Sequence, residues 1–269
     1  MRDAGGRASL VTIALAAVAA LASCTGAASD ARPPRDGART TTSARAAADS
    51  AFADSVLRAA EDLGAEVEVR TSDLPAPVRD AAAIRLALAT DSAGTYLFEL
   101  LAARDSVLYR WPPRDGAPLL LWVQRAPLGD AEREFPRVVE EAFLPWTETG
   151  IPIAFLVTED SARADVRVTW VDRYESETTG RTRWVHDDHG WITGASIELA
   201  RRQPDGRPLD GRALRAIARH EAGHLLGLAH CAGEGNIMAA RIRVPELSEA
   251  DRATVRLLYR LPPGRLVER

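Results

Sequence analysis

The sequence predicts an α+β fold, in which a small helical region precedes a domain of mixed strands and helices. Two observations indicate this class. Apolar residues recur at helical spacing over residues 51–63, 78–88 and 93–108. From residue 119 onward, short apolar or alternating segments typical of strands are interspersed with longer segments of helical periodicity.

Length and composition are those of a globular protein. The chain has 269 residues, of which 46% are hydrophobic and 27% are charged, so it has room for one domain and an accessory region. The formal net charge is -4 and no basic cluster is present, so we expect no nucleic-acid partner. Nothing indicates a repeat or a coiled coil, and we expect a monomer.

The first 24 residues resemble a bacterial lipoprotein signal. Basic residues precede an apolar run over 8–22, which is short for a membrane span but typical of a signal peptide. The run ends in Leu-Ala-Ser-Cys at residues 21–24, which resembles a lipobox. Residues 1–23 are then removed and Cys24 is lipidated; an ordinary secretory signal with a chance cysteine is the alternative. We expect an exported, membrane-anchored protein, at the outer membrane or periplasmic face if the organism has two membranes and otherwise at the cell surface.

Two further regions precede the mixed domain. Residues 24–48 are rich in Ala, Thr, Ser, Arg and Pro without apolar periodicity, which predicts a flexible tether. Residues 49–116 form the helical N-terminal region, which ends in the turn-rich segment 111–116. This region could be a propeptide, a docking module or packing for the domain at 117–269.

The elements of that domain follow from periodicity. Strands are predicted over 119–123, 151–157, 164–171, 182–185 and 192–199, and an amphipathic helix over 130–146. A longer helix is predicted to begin near Asp210, whose carboxylate can cap the first free amides.

The end of that helix carries a metal-binding pattern. Residues 220–230 read His-Glu-Ala-Gly-His-Leu-Leu-Gly-Leu-Ala-His. His220 and His224 are four residues apart, so they share one helix face and can reach a single cation. Gly227 lets the backbone leave the helix, and His230 can then return toward the first two histidines. Three imidazoles with an open fourth position are typical of a catalytic zinc site, so we expect one catalytic Zn²⁺.

Glu221 is predicted to be the catalytic residue of this site. It lies within an otherwise apolar helix arc formed by Leu214, Ile217, Ala218, Ala222 and Leu225. A carboxylate there is costly without a partner, and a water held at the zinc provides one. We therefore expect Glu221 to move the proton of that water.

The longer pattern resembles a known clan. HExxHxxGxxH followed by Met238 is similar to the metzincin zinc peptidases, and the segment 247–259 is similar to the last helix of their matrixin-like branch. The resemblance implies a twisted mixed sheet with the active-site helix beneath it, a C-terminal helix, and Met238 as an apolar floor under the ligands. It also implies a zinc endopeptidase acting on a protein or peptide substrate, which would add as a strand along the edge at 181–188.

The sequence departs from the matrixin pattern and leaves alternatives open. Cys231 follows the third histidine where serine is usual, and Ala239 and Ala240 follow Met238 where a proline is common. The cluster His-Asp-Asp-His at 186–189 resembles fragments of the family's structural zinc loop, so it is either a second metal site or a solvated turn. The alternative functions are a zinc amidase acting on cell-wall material and a surface binding module with a retained zinc site.

Overall fold

A computed structural model of the chain describes residues 57–58, 68–125 and 128–266. The helices are α1 Ala81–Asp91, α2 Leu97–Ala103, α3 Phe135–Ala142, α4 Leu144–Thr147, α5 Gly211–Leu225 and α6 Glu249–Arg260. The strands are β1 Leu57–Arg58, β2 Glu68–Arg70, β3 Val107–Leu108, β4 Leu119–Val123, β5 Phe155–Val157, β6 Val166–Val171, β7 Gly180–Asp187, β8 Ile192–Ala200, β9 Arg241–Ile242 and β10 Gly264–Arg265. The predicted signal peptide, Cys24 and the tether lie outside these residues.

A six-stranded mixed sheet is the centre of the fold, with the strand order β2-β7-β8-β6-β4-β5. The four strands β5, β4, β6 and β8 pair in parallel. Strand β7 is antiparallel to β8, and β2 runs parallel to β7. The predicted α+β class with a mixed sheet is therefore confirmed.

The strand that borders the site is longer than predicted and is partly covered. The predicted strand 182–185 extends over Gly180–Asp187. The unpredicted strand β2 pairs with Val185–Asp187. Among the described residues, the edge predicted to bind substrate over 181–188 therefore lacks a paired strand only in its first half.

Three predicted elements are wrong in their extent, each for a backbone reason. The helix predicted over 93–108 ends at Ala103, because Asp105 and Ser106 have positive φ angles of 48° and 62°, and β3 follows. The helix predicted over 130–146 is split into a 3-10 turn at Asp130–Glu132, α3 and α4, and Pro145 in α4 has no N–H to continue the α3 hydrogen bonds. The strand predicted over 151–157 is confined to β5, since Pro152 cannot donate to a ladder.

The helix predicted over 51–63 falls mostly outside the described residues. Within it, Leu57–Arg58 form β1, which pairs with β9. That part of the helix prediction is wrong, because the backbone there bonds to another strand.

Helix α5 begins where the sequence predicts. Asp210 is its N-cap, and the Asp210 Oδ1 accepts a hydrogen bond from the Ala213 N–H at 2.7 Å. The whole arc predicted to face the protein is buried, including Glu221. Helix α5 thus packs its apolar face inward and carries the histidines at its C-terminal end.

Residues before and after position 116 share one hydrophobic core. Leu97, Leu100 and Trp111 are fully buried together with residues of the sheet and of α5. The boundary at 116 stays a prediction, but α2 and the segment that follows it belong to the packing of the site. In the described part of the chain, no helix has the length and apolar character needed to cross a membrane.

Candidate metal centre and active site

Three imidazoles converge at the C-terminal end of α5. The His230 Nε2 lies 3.2 Å from the His220 Nε2 and 3.2 Å from the His224 Nε2. Nitrogens bound at about 2.0–2.1 Å to a tetrahedral zinc lie about 3.3 Å apart, so the observed spacing fits that ion. The structure therefore brings together the three residues that the motif predicts.

Gly227 is the point at which the chain leaves the helix. Its φ of 103° is readily accessible only to glycine. A Cβ at this position would also overlap the carbonyl oxygen of Tyr109. The predicted reason for a glycine is thus confirmed, and the close approach of Tyr109 is an additional one.

Backbone carbonyls orient two of the imidazoles. The His220 Nδ1–H donates to the Ile237 carbonyl at 2.6 Å, and the His224 Nδ1–H donates to the Leu228 carbonyl at 3.0 Å. Because a carbonyl only accepts, both Nδ1 atoms carry the proton and both Nε2 atoms present lone pairs. A single proton on the His230 Nε2 cannot bond to the lone pairs of both other Nε2 atoms, whereas one cation can bind them together.

Burial keeps these imidazoles in the neutral form that binds metals. Desolvation, followed by the neighbouring His230, lowers the pKa of His220 to about 3. Desolvation also lowers the pKa of His224 well below its usual value, with His220 and His230 acting in the same direction. The donor set is therefore ready for a cation at neutral pH.

Met238 belongs to a turn that contacts α5 and the chain after the third histidine. Its side chain is fully buried, and its sulfur lies so close to Gly223 that any Cβ there would overlap it. The Met238 carbonyl accepts from the Cys231 N–H at 3.0 Å, directly after the third histidine. The turn thus contacts α5 through its side chain and the ligand loop through its backbone.

Glu221 lies beneath the first residues of β7. Its side chain is 1% exposed, and its Oε2 accepts from the Thr182 hydroxyl at 2.6 Å. A Cβ on Gly180 would lie 2.5 Å from the Glu221 Oε1, so only glycine leaves room for the carboxylate. Burial raises the pKa of Glu221 to about 7, although the Thr182 hydrogen bond and the Arg181 charge lower it.

Asp251 is a supporting residue whose role sequence reasoning missed. Its buried carboxylate accepts from the Ile237 N–H at 2.9 Å and from the Tyr96 hydroxyl at 2.9 Å. It therefore ties α6 to the turn that bears Met238. Ser248 and Asp251 form a capping box, a signal visible in the sequence, but the contact with Ile237 is long-range.

The cluster at 186–189 has a different arrangement. The Asp187 Oδ1 accepts from the N–H groups of His189 and Trp191 at 2.9 and 2.8 Å. The His186 Nδ1 lies 2.7 Å from the Asp187 carbonyl oxygen. In the described part of the chain, the histidine triad is the one group of three or more side chains placed to hold a metal, and Cys231 is outside it. The structure favours a turn over a metal site at this cluster, but the turn is only partly solvated, because His186 and Asp187 are buried at the end of β7.

Similarity to known proteins covers the same region. Residues 123–260, just over half of the chain, match the family model described as Matrixin. Metalloendoproteinase 5-MMP of Arabidopsis thaliana is 29% identical over 171 residues. The match covers 56% of this chain and 45% of the plant protein, so the chain corresponds to less than half of that protein's length. The range matched by the family model contains the three histidines, Glu221 and Met238.

Proposed function

Because this chain belongs to the matrixin family, we propose that it is a zinc-dependent endopeptidase, which hydrolyses peptide bonds within proteins or peptides. The supporting observation is the convergence of three imidazoles, one of which directly precedes the buried Glu221 in α5. Matrixins are zinc-dependent, and the donor set here fits zinc in number and spacing.

The histidines provide the zinc ligands in this proposal. His220, His224 and His230 would bind through their Nε2 atoms, while the carbonyls of Ile237 and Leu228 hold two of the rings in orientation. When bound, zinc supplies Lewis-acid chemistry, which acidifies a water molecule and polarises the substrate carbonyl. Met238 closes the site from below with an apolar surface.

Glu221 moves the proton. It accepts the proton of the attacking water and later transfers it to the leaving amine. A pKa near 7 suits both steps, because the carboxylate can then accept and release a proton at neutral pH. Thr182 fixes the direction of the carboxylate by its hydrogen bond, and Gly180 leaves space for it.

The open part of β7 is the proposed substrate edge. Gly180–Trp184 precede the residues that β2 covers, and Gly180 and Thr182 adjoin Glu221. A peptide added there as a strand would gain backbone hydrogen bonds and bring a carbonyl toward the triad.

Cleavage and zinc content measured together test the activity. A quenched-fluorescent peptide library is incubated with wild type and with Glu221→Ala, and zinc is determined in both samples. We expect cleavage by the wild type alone, with equal zinc in both proteins. Equal cleavage by a zinc-loaded Glu221→Ala would remove the assigned role. Full zinc occupancy without peptide cleavage would redirect the proposal to a cell-wall amidase or a binding module, and peptidoglycan fragments would separate these two.

We further propose that the enzyme acts outside the cytoplasm on a lipid anchor at Cys24. The support is the sequence of residues 1–24, which lies outside the described residues. Labelled palmitate should enter the wild-type protein in bacterial cells and be absent from Cys24→Ala. Equal labelling of both proteins would exclude Cys24 as the lipidated residue.

A further inference from the structure

Arg104 connects the N-terminal part of the chain to the loop between the second and third histidines. It lies directly after α2 and is partly buried. Its Nη1 donates to the Gly227 carbonyl at 2.6 Å, and its Nη2 donates to the Leu228 carbonyl at 2.9 Å. The planar fork of a guanidinium suits two neighbouring acceptors, so one side chain fixes two consecutive peptide groups.

One of these acceptors is shared with the histidine triad. The Leu228 carbonyl receives the Arg104 Nη2–H and also the His224 Nδ1–H. A carbonyl oxygen has two lone pairs and can accept both bonds. Arg104 therefore holds the acceptor that sets the ring orientation and tautomer of His224.

Aromatic rings keep the guanidinium in place. The Arg104 Cζ lies 4.6 Å from the Trp184 ring centroid and 5.8 Å from the Tyr109 ring centroid. Burial lowers the pKa of Arg104 to about 10, so the group remains charged at neutral pH. Since Trp184 is in β7, the same side chain joins the substrate edge to the ligand loop.

The chain after His230 is held by a residue of α2. The Glu99 carboxylate, on α2, accepts from the Ala232 N–H at 2.7 Å. Arg104 and Glu99 thus fix the backbone on the two sides of His230.

We propose that Arg104 is a positioning residue of the metal centre, which holds the peptide groups of Gly227 and Leu228 so that His224 and His230 point at one zinc. The inference rests on the proposed function, because it takes the triad as the zinc site. It also assigns a role to α2 and the residue that follows it, as part of the scaffold of the site.

Arg110 is a matched control on the same segment. Its guanidinium donates to the carbonyls of Leu261 and Trp111 at 2.9 and 3.3 Å. It also lies over two rings, those of Trp191 at 4.7 Å and Tyr259 at 5.7 Å. Arg110 therefore makes the same kinds of contact as Arg104, but none of its own bonds goes to the histidine loop. Trp111 reaches that loop through its indole N–H, which donates to the Leu225 carbonyl at 3.0 Å, and this bond does not involve the Arg110 side chain.

The test is zinc affinity by chelator competition on the full-length chain, for wild type, Arg104→Met, Arg104→Lys and Arg110→Met. We expect Arg104→Met to weaken zinc binding by about 10–100-fold, the range for lost outer partners of metal ligands. Arg104→Lys should weaken it less, because an ammonium retains the charge but cannot replace the fork. Arg110→Met should melt at a lower temperature and keep wild-type affinity. The visible spectrum of the Co²⁺ form should change in the Arg104 variants alone.

Wild-type affinity and an unchanged Co²⁺ spectrum in Arg104→Met would overturn the inference and leave the zinc site intact. If Arg104→Met does not fold, Arg104→Lys decides: affinity equal to that of Arg110→Met would overturn the role. A folded wild type that binds no zinc would overturn the proposed function and this inference together.

Discussion

Two segments of this chain combine histidine with acidic residues, and their side chains end in opposite arrangements. In 220–230, three imidazole nitrogens converge, because helical spacing places His220 and His224 on one face and Gly227 returns His230 to them. In 186–189, Asp188 and His189 approach each other to 3.8 Å, but the described residues form no group of three ligating side chains there. The difference shows that the direction of the side chains, set by the local backbone, decides whether these residue types form a metal site.

The hydrogen bonds of Asp187 and of the triad histidines run in opposite directions, whereas His186 resembles the triad histidines, since its Nδ1 lies 2.7 Å from the Asp187 carbonyl oxygen. The Asp187 carboxylate accepts from the backbone N–H groups of His189 and Trp191 and from the Ser72 hydroxyl, so both of its oxygens are already used. His220 and His224 donate to backbone carbonyls, which leaves their other nitrogens free to bind a cation. A carboxylate whose acceptor atoms are already used has less to offer a metal.

The largest expected effect is the loss of the metal from the triad. His224→Ala should weaken zinc binding by more than about 100-fold, beyond the range for lost outer partners, and abolish cleavage with it. His189→Ala is the control from the other segment and should keep both. Zinc content after dialysis against a weak chelator measures this. Equal loss of zinc from both variants would show that the two segments do not differ in metal binding.

Removal of the base should separate chemistry from metal binding. Glu221→Gln preserves the shape of the side chain but cannot accept the proton, so kcat/KM should fall by about 10²–10⁴-fold. Zinc content should equal that of wild type, because Glu221 is not among the grouped ligands. Steady-state peptide cleavage with metal analysis checks both values, and a variant that also lost its zinc would show that Glu221 supports the site structurally.

Crowding of the carboxylate should give a smaller effect of the same kind. A Cβ in Gly180→Ala would displace the Glu221 carboxylate, and a displacement of about 1 Å can cost about 100-fold in rate. Gly194→Ala, in β8, is the matched control, since no atom lies within 4 Å of a Cβ there. Cleavage rates of the two zinc-loaded variants test this, and similar rates would mean that the space at Gly180 is not needed.

The smallest effect should come from the turn. Asp187→Ala leaves the N–H groups of His189 and Trp191 without their acceptor, so the free energy of unfolding should fall by about 1–3 kcal/mol. Asp188→Ala, whose side chain is 55% exposed, should change it by less than about 0.5 kcal/mol. Urea denaturation measures both. Zinc loss in Asp187→Ala without loss of stability would indicate that this turn binds zinc.

Local patterns were sufficient to predict the metal-binding segment. The three histidines, Glu221 and Gly227 lie within eleven consecutive residues, and helix geometry followed by a glycine turn relates them. The N-cap at Asp210 and most strands of the sheet were likewise predictable, because capping and alternation are short-range signals. The mixed character of the sheet was implied by the resemblance to the metzincins.

Contacts between distant residues were not predictable. Thr182 and Gly180 reach Glu221 across about 40 residues, and Arg104 reaches Gly227 across 123. The periodicity of the sequence does not indicate which strand packs against which helix. Strand β2 escaped prediction for the same reason, since a three-residue strand is specified by its partner β7 rather than by its own sequence.

Diffraction from zinc-loaded crystals of the protein, recorded at the zinc absorption edge, tests the central claim most directly. One anomalous peak is predicted, at about 2.0–2.1 Å from the Nε2 atoms of His220, His224 and His230, with none at residues 186–189. A peak at 186–189 with none at the triad would contradict the assignment of the metal centre and the mechanism built on it.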